Sequence, residues 1–101
     1  MSQAEKLSEI TIEQWCKKHS QWQYREHKLY RKIQFHDFSE AFAFMTRVAM
    51  VAERMDHHPE WYNCHRSVEL YLCSHDVSGV SERDLKLADF IDSITTPAPS
   101  N

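Results

Sequence analysis

Asp37-Phe38-Ser39-Glu40-Ala41-Phe42-Ala43-Phe44-Met45-Thr46-Arg47-Val48-Ala49-Met50-Val51-Ala52-Glu53 is the stretch whose periodicity decides the fold. Asp37 and Glu40 stand three apart ahead of an apolar run, the spacing of a capping box, and so mark a helix start. From there Phe38, Ala41, Phe42, Met45, Val48, Ala49 and Ala52 recur at three- and four-residue steps, one stripe of about four turns. This stripe is expected to cover a sheet. Phe44, Met50 and Val51 fall off it, which gives the helix a second apolar surface that a monomer would leave wet. A homo-oligomer, dimer or tetramer, packed through this helix is therefore expected; the alternative is another helix of the same chain lying over that surface.

The helix runs into Glu53-Arg54-Met55-Asp56-His57-His58-Pro59-Glu60-Trp61, where Pro59 forces His58 out of the helical region and stops it. Carboxylates near a helix C-terminus face the negative end of the macrodipole, a locally unfavourable choice of the kind that marks functional sites.

On the N-terminal side, Trp22-Gln23-Tyr24 and Leu29 to Phe35 alternate with period two and read as a hairpin turning near Glu26 and His27. Leu29, Ile33 and Phe35 share one face, Tyr30, Lys32 and Gln34 the other. Before them, Thr11-Ile12-Glu13-Gln14 reads as a capping box with Ile10 and Trp15 as its hydrophobic staple, opening a short helix to about His19. On the C-terminal side, Trp61 to His65 and Val68 to His75 read as a second hairpin. Val68, Leu70 and Leu72 lie on one face, and His75 arrives at the strand end. Gly79 serves the next turn. Ser81 as N-cap with Asp84 at N3 starts a last helix whose buried side is Leu87, Phe90, Ile91 and Ile94. The order α-β-β-α-β-β-α predicts an α+β fold, a four-stranded antiparallel sheet covered on one face by helices. One domain spans residues 1–101, with a folded part over about 9–94 and flexible tails at 1–8 and 95–101.

Composition narrows the function classes. A net charge of −3 with interspersed signs gives no electrostatic footprint for nucleic acid or membrane. The single glycine excludes a glycine-rich phosphate loop. Three cysteines, Cys16, Cys64 and Cys73, show no CxxC spacing, so neither a disulfide framework nor a zinc knuckle is encoded, and reduced thiols in a cytoplasmic compartment fit. The N-terminus has no apolar h-region, and no apolar run is long enough to span a bilayer.

Three histidines carry the candidate chemistry. Glu53 and His57 are four apart and would touch if the last helical turn persists. His58 projects differently beyond the stop, and His75 could complete a group of three imidazoles. Imidazoles near a free pKa of about 6.5 donate and accept protons at neutral pH, help typically worth about 10² to 10⁴ in rate. Taken singly, each histidine also reads as a polar residue at a helix stop or strand end. His19, His27, His36 and His65 read as solvated. A zinc site is the rival, but E-x-x-x-H-H is not the H-E-x-x-H helix pair and adjacent histidines at a break do not aim at one ion, so no metal is expected. Cys64 and Cys73 read as buried strand residues. Trp61 offers either a ring for a planar heterocycle or an aromatic at the core's edge.

Glu53 to Asn63, then Ser74-His75, then Gly79 to Asp84 closely resemble the signature of the pterin-4a-carbinolamine dehydratases. Phe42 to Ala49 resembles the same family's central helix. The similarity covers roughly Trp22 to Ile91, with Ser74-His75-Asp76-Val77 and Asn63-Cys64-His65-Arg66 departing from the usual pattern. The resemblance implies dehydration of 4a-hydroxytetrahydrobiopterin to the quinonoid dihydropterin, recycling tetrahydrobiopterin after an aromatic amino-acid hydroxylase, without metal or redox cofactor. It further implies that His57, His58 and His75 are the active-site histidines, with Glu53 beside them and Asp84 in support. Asp56, Trp61 and Ser74 are the remaining candidate substrate-binding or supporting residues. Animal members also serve as dimerization cofactors of a homeodomain transcription factor, which for an animal chain would add a nuclear pool. The alternatives are a protein-binding scaffold acting through the central helix and a metal-dependent hydrolase.

Overall fold

A computed structural model describes residues 5–95. The chain runs α1 (Glu9–Lys18), β1 (Gln23–Arg25), β2 (Lys28–Gln34), α2 (Phe38–Met55), β3 (Glu60–Cys64), β4 (Ser67–Leu72), a short 3-10 turn (His75–Val77) and α3 (Glu82–Thr95). The element order is the expected one. The strands form one antiparallel sheet in the order β1-β2-β4-β3, so β4 pairs with β2 across the whole central helix connection. Glu26 and His27 both take positive φ, the signature of a two-residue type I′ hairpin turn. The tail expected from residue 96 onward lies outside the described residues, as do residues 1–4.

Register sorts the sheet's two faces. Leu29 opposes Leu72, Arg31 opposes Leu70 and Ile33 opposes Val68, and all six are buried beneath the helices. Arg31 is the exception in chemistry: its guanidinium pairs with Asp92 of α3, which also accepts from Trp22 Nε1 at 2.9 Å. Burial lowers the Arg31 pKa, and the facing Asp92 carboxylate opposes that. On the other face Tyr30 packs on Tyr71 with ring centroids 5.0 Å apart, and its hydroxyl donates to Glu69 at 2.7 Å.

Two details of the helices differ from expectation. Ser8, not Thr11, caps α1, its hydroxyl accepting from the Thr11 N–H at 3.1 Å, so the helix begins earlier and Ile10 is left exposed without a staple role. In α2, Asp37 caps as expected, but the inward stripe is Ala41, Phe44, Val48 and Ala52, with Met45, Val51 and Met55 partly buried beside it. Phe38, Phe42 and Met50 are exposed, and Ala49 with them. Phe44 turns in because its ring packs on Phe35, 4.8 Å between centroids, at the end of β2.

Candidate functional site

The end of α2 sets the site. Asp56 adopts the left-handed conformation with φ 52°, its N–H donating to Glu53 O, and the His57 N–H donates to Ala52 O at 3.0 Å. That pair of reversed bonds is a Schellman stop, in which a short acidic side chain tolerates a backbone that most residues resist. The helix thus ends before His57, which rotates away from Glu53. The expected Glu53–His57 contact is not made; His58 takes it instead, its Nε2 2.9 Å from Glu53 Oε1 on the surface.

His57 turns inward and meets Asp84, with Nε2 2.6 Å from Oδ1. Asp84 is fully buried and serves three donors: His57, the Ser74 hydroxyl at 2.8 Å and the Ser81 backbone N–H at 2.9 Å, the last two on Oδ2. The contact to Ser81 is the acid's half of the capping box that opens α3. The Ser81 hydroxyl sits 2.6 Å from Ser74 Oγ and accepts from the Arg83 N–H. An ionised carboxylate can only accept, so in this contact the Nε2–H of His57 is the donor.

His75 begins the 3-10 turn that follows β4, so the strand stops short of it. The turn is closed by an antiparallel bridge between Ser74 and Gly79, and Ser78, not Gly79, takes the positive φ. A Cβ on Gly79 would stand 2.8 Å from Cε of the exposed Lys6 side chain, which can swing aside. His75 Nε2 lies 3.3 Å from Glu60 Oε2 and 3.8 Å from Cys73 Sγ. Glu60 Oε1 accepts from Lys28 Nζ at 2.7 Å, and that bond holds the Glu60 carboxyl below the usual carboxylate range. Burial, with the Glu60 charge adding to it, pushes the Cys73 thiol up.

Asp56, His57, His58, Glu60, Cys73 and His75 line one open cleft of about 380 Å³, with Pro59, Asp76 and Arg83 completing its wall. Each imidazole in it has a carboxylate neighbour: Asp84 for His57, Glu53 for His58, Glu60 for His75. Arg83 and Asp76 form an ion pair at the rim. Ser74 and Asp84 stand behind the wall instead of lining it. Trp61 opposes Leu70 and packs against the core, so it does not line this cleft. Cys64, expected to be buried, is exposed at the end of edge strand β3, whereas Cys73 is buried. Glu60, Lys28 and Cys73 were missed by sequence reasoning. Strand alternation assigns Glu60 and Tyr71 to faces of their own strands, but only the pairing of β3 with β4 sets them opposite one another. A larger hollow of about 540 Å³, lined by Ile33, Phe35, Phe44, Ile94, Glu40 and Arg47, holds no group suited to proton transfer near neutrality.

The family model for pterin 4 alpha carbinolamine dehydratase matches residues 5–94. The chain belongs to that family. Relatives bearing the name pterin-4-alpha-carbinolamine dehydratase include one from Paraburkholderia xenovorans, 60% identical over 64% of this chain and 68% of its own length. Another, from Prochlorococcus marinus, is 48% identical over 87% of this chain and 86% of its own length. For a Burkholderia pseudomallei relative, 55% identical, the match spans 63% of each chain. The crystal structure of a transcriptional coactivator/pterin dehydratase from Brucella melitensis superposes with a TM-score of 0.86 at 36% identity, covering 89% of this chain and 98% of that one. A pterin dehydratase-like RuBisCO assembly factor shares the fold alone, with a TM-score of 0.62 at 18% identity. By homology this pterin-4a-carbinolamine dehydratase family member is a hydro-lyase. Among the described residues no helix is long and apolar enough to cross a membrane.

Proposed function

We propose that the protein dehydrates 4a-hydroxytetrahydrobiopterin to quinonoid dihydropterin by acid–base catalysis with His57, His58 and His75. The observation that carries this reading is the cleft itself, where three imidazoles, each beside a carboxylate, share one wall. In the reaction the C4a–O bond breaks, a proton is delivered to the departing oxygen so that it leaves as water, and the N5 proton is taken by a base. Donor and acceptor must act on different edges of the pterin, which suits imidazoles held on separate elements. Asp84 orients His57, Ser74 holds Asp84, Glu53 orients His58, and Asp56 offers a carboxylate at the rim. Trp61 supports the cleft from the core side. No cofactor takes part, the pterin being the substrate, and the physiological source of the carbinolamine is an aromatic amino-acid hydroxylase. Three unpaired cysteines among the described residues go with a reducing, cytoplasmic setting.

The protein acts as a homo-oligomer joined through the outer face of α2, where Phe38, Phe42 and Met50 are each more than half exposed. The same face favours a second reading, a protein-binding scaffold. A partner capture that survives replacement of the histidines but is lost in Phe42→Glu would establish interaction independent of catalysis. The enzyme reading is tested by generating the carbinolamine with a hydroxylase and following its disappearance spectroscopically. Addition of the protein is expected to accelerate that loss; a rate equal to the uncatalysed one overturns the reading.

A further inference from the structure

Glu60, Cys73 and His75 come from three separate backbone positions, the start of β3, the end of β4 and the turn beyond it, and their ligand atoms converge to within 4.8 Å of one another. The triangle they make has edges of 3.3 Å from Glu60 Oε2 to His75 Nε2, 3.7 Å from Oε2 to Cys73 Sγ, and 3.8 Å from Sγ to Nε2. Tetrahedral zinc with bonds of about 2.3 Å to sulfur and about 2.0 to 2.2 Å to nitrogen and oxygen requires N···O near 3.3 to 3.5 Å and S···N or S···O near 3.5 to 3.7 Å. The observed edges match this to within a few tenths of an ångström.

We propose that Glu60, Cys73 and His75 form a binding site for a zinc-class divalent cation inside the histidine cleft. Thiolate, imidazole and carboxylate together suit a borderline-soft ion such as Zn²⁺ or Co²⁺ and not Mg²⁺ or Ca²⁺, which take oxygen alone. Lys28 supplies the outer support. It occupies Oε1 of Glu60 and turns Oε2 toward the thiol and the imidazole, so the carboxylate is already oriented for one ligand bond. The thiol loses its proton to solvent as the Cys73 S–metal bond forms, so binding releases one proton. Three protein ligands leave the fourth position facing the cleft, where water or a ligand oxygen completes the shell. Resting on the acid–base reading of His75, metal occupancy takes the Nε2 lone pair out of proton transfer and slows the dehydratase.

The test is a titration of the full chain with Co²⁺, followed by displacement with Zn²⁺. One equivalent of Co²⁺ is expected to raise a thiolate-to-metal charge-transfer band, which one equivalent of Zn²⁺ removes. Cys73→Ser should abolish the band and weaken Zn²⁺ binding by more than the roughly 10- to 100-fold that loss of an outer-shell partner costs. His75→Gln and Glu60→Gln should weaken it as well, while the double replacement Cys16→Ser with Cys64→Ser leaves it intact. Absence of the band, its persistence in Cys73→Ser, or its loss in the Cys16/Cys64 double variant overturns the site. Dehydratase activity with and without Zn²⁺, read as a ratio within each variant, separates the two claims. One-to-one binding with no inhibition supports the metal site and contradicts the role given to His75 in catalysis.

Discussion

Asp84 is the residue on which the site's geometry turns. A buried carboxylate is stable only when its oxygens are fully engaged, and here His57, Ser74 and the Ser81 N–H engage them. Asp84→Asn keeps the shape but puts an N–H where an acceptor is needed. Turnover is expected to fall about 10²-fold or more, and stability by about 1 to 3 kcal/mol, read from steady-state rates and urea unfolding. The sequence pointed to Asp84 as a capping acid and, through the family resemblance, as support for the histidines, yet nothing in the spacing linked it to His57, 27 residues away. The reverse error concerned Glu53. A four-residue spacing implies contact only while the helix lasts, and the left-handed Asp56 ends it one residue too soon. Glu60 carries a pH signature of its own. Because the Lys28 bond depresses its folded pKa, its contribution to stability is present above its unfolded pKa and lost as pH falls through the folded value. Lys28→Met should move the Glu60 titration upward, observable in carboxyl-carbon NMR.

At the scale of elements, α2 shows why periodicity identifies a helix more surely than its inner face. Phe38, Phe42 and Ala49 form one apolar row, and Ala41, Phe44, Val48 and Ala52 another beside it, rotated by roughly 95° at 100° per residue. Either row could have faced the sheet. Packing of Phe44 on Phe35 decides it, with the small Ala41 and Ala52 buried on the same side, and that contact lies outside the helix's own periodicity. The Asp56 stop separates stability from function: Asp56→Gly relieves the left-handed backbone and should stabilise the fold by about 0.5 to 1 kcal/mol, a gain measurable as a higher Tm. Arg31 tells a similar story on the sheet. Alternation put it on the face of Leu29 and Ile33, but only the arrival of α3 explains a guanidinium there. Asp92→Ala leaves that buried charge without its carboxylate and should cost about 3 kcal/mol or more in chemical unfolding.

On the scale of the whole molecule, seven elements were legible in order because each begins with its own local signal, a cap, a turn pair or a proline. The cleft was not, since it needs β3 beside β4 and α3 against the end of α2. Its three histidines were visible as a group, and Glu53 and Asp84 were named beside them, but which acid partners which histidine was not legible and Glu60 was missed. If the outer face of α2 joins protomers, Phe42→Glu combined with Met50→Lys should shift sedimentation from an oligomer to a monomer without unfolding the core, since both side chains are exposed in the single chain. The most direct test of the account is the carbinolamine dehydration rate of His57→Ala, His58→Ala and His75→Ala beside the unaltered protein. The histidine-cleft account predicts a loss of about 10² to 10⁴ for the histidines that transfer protons; undiminished rates in all three variants would contradict it.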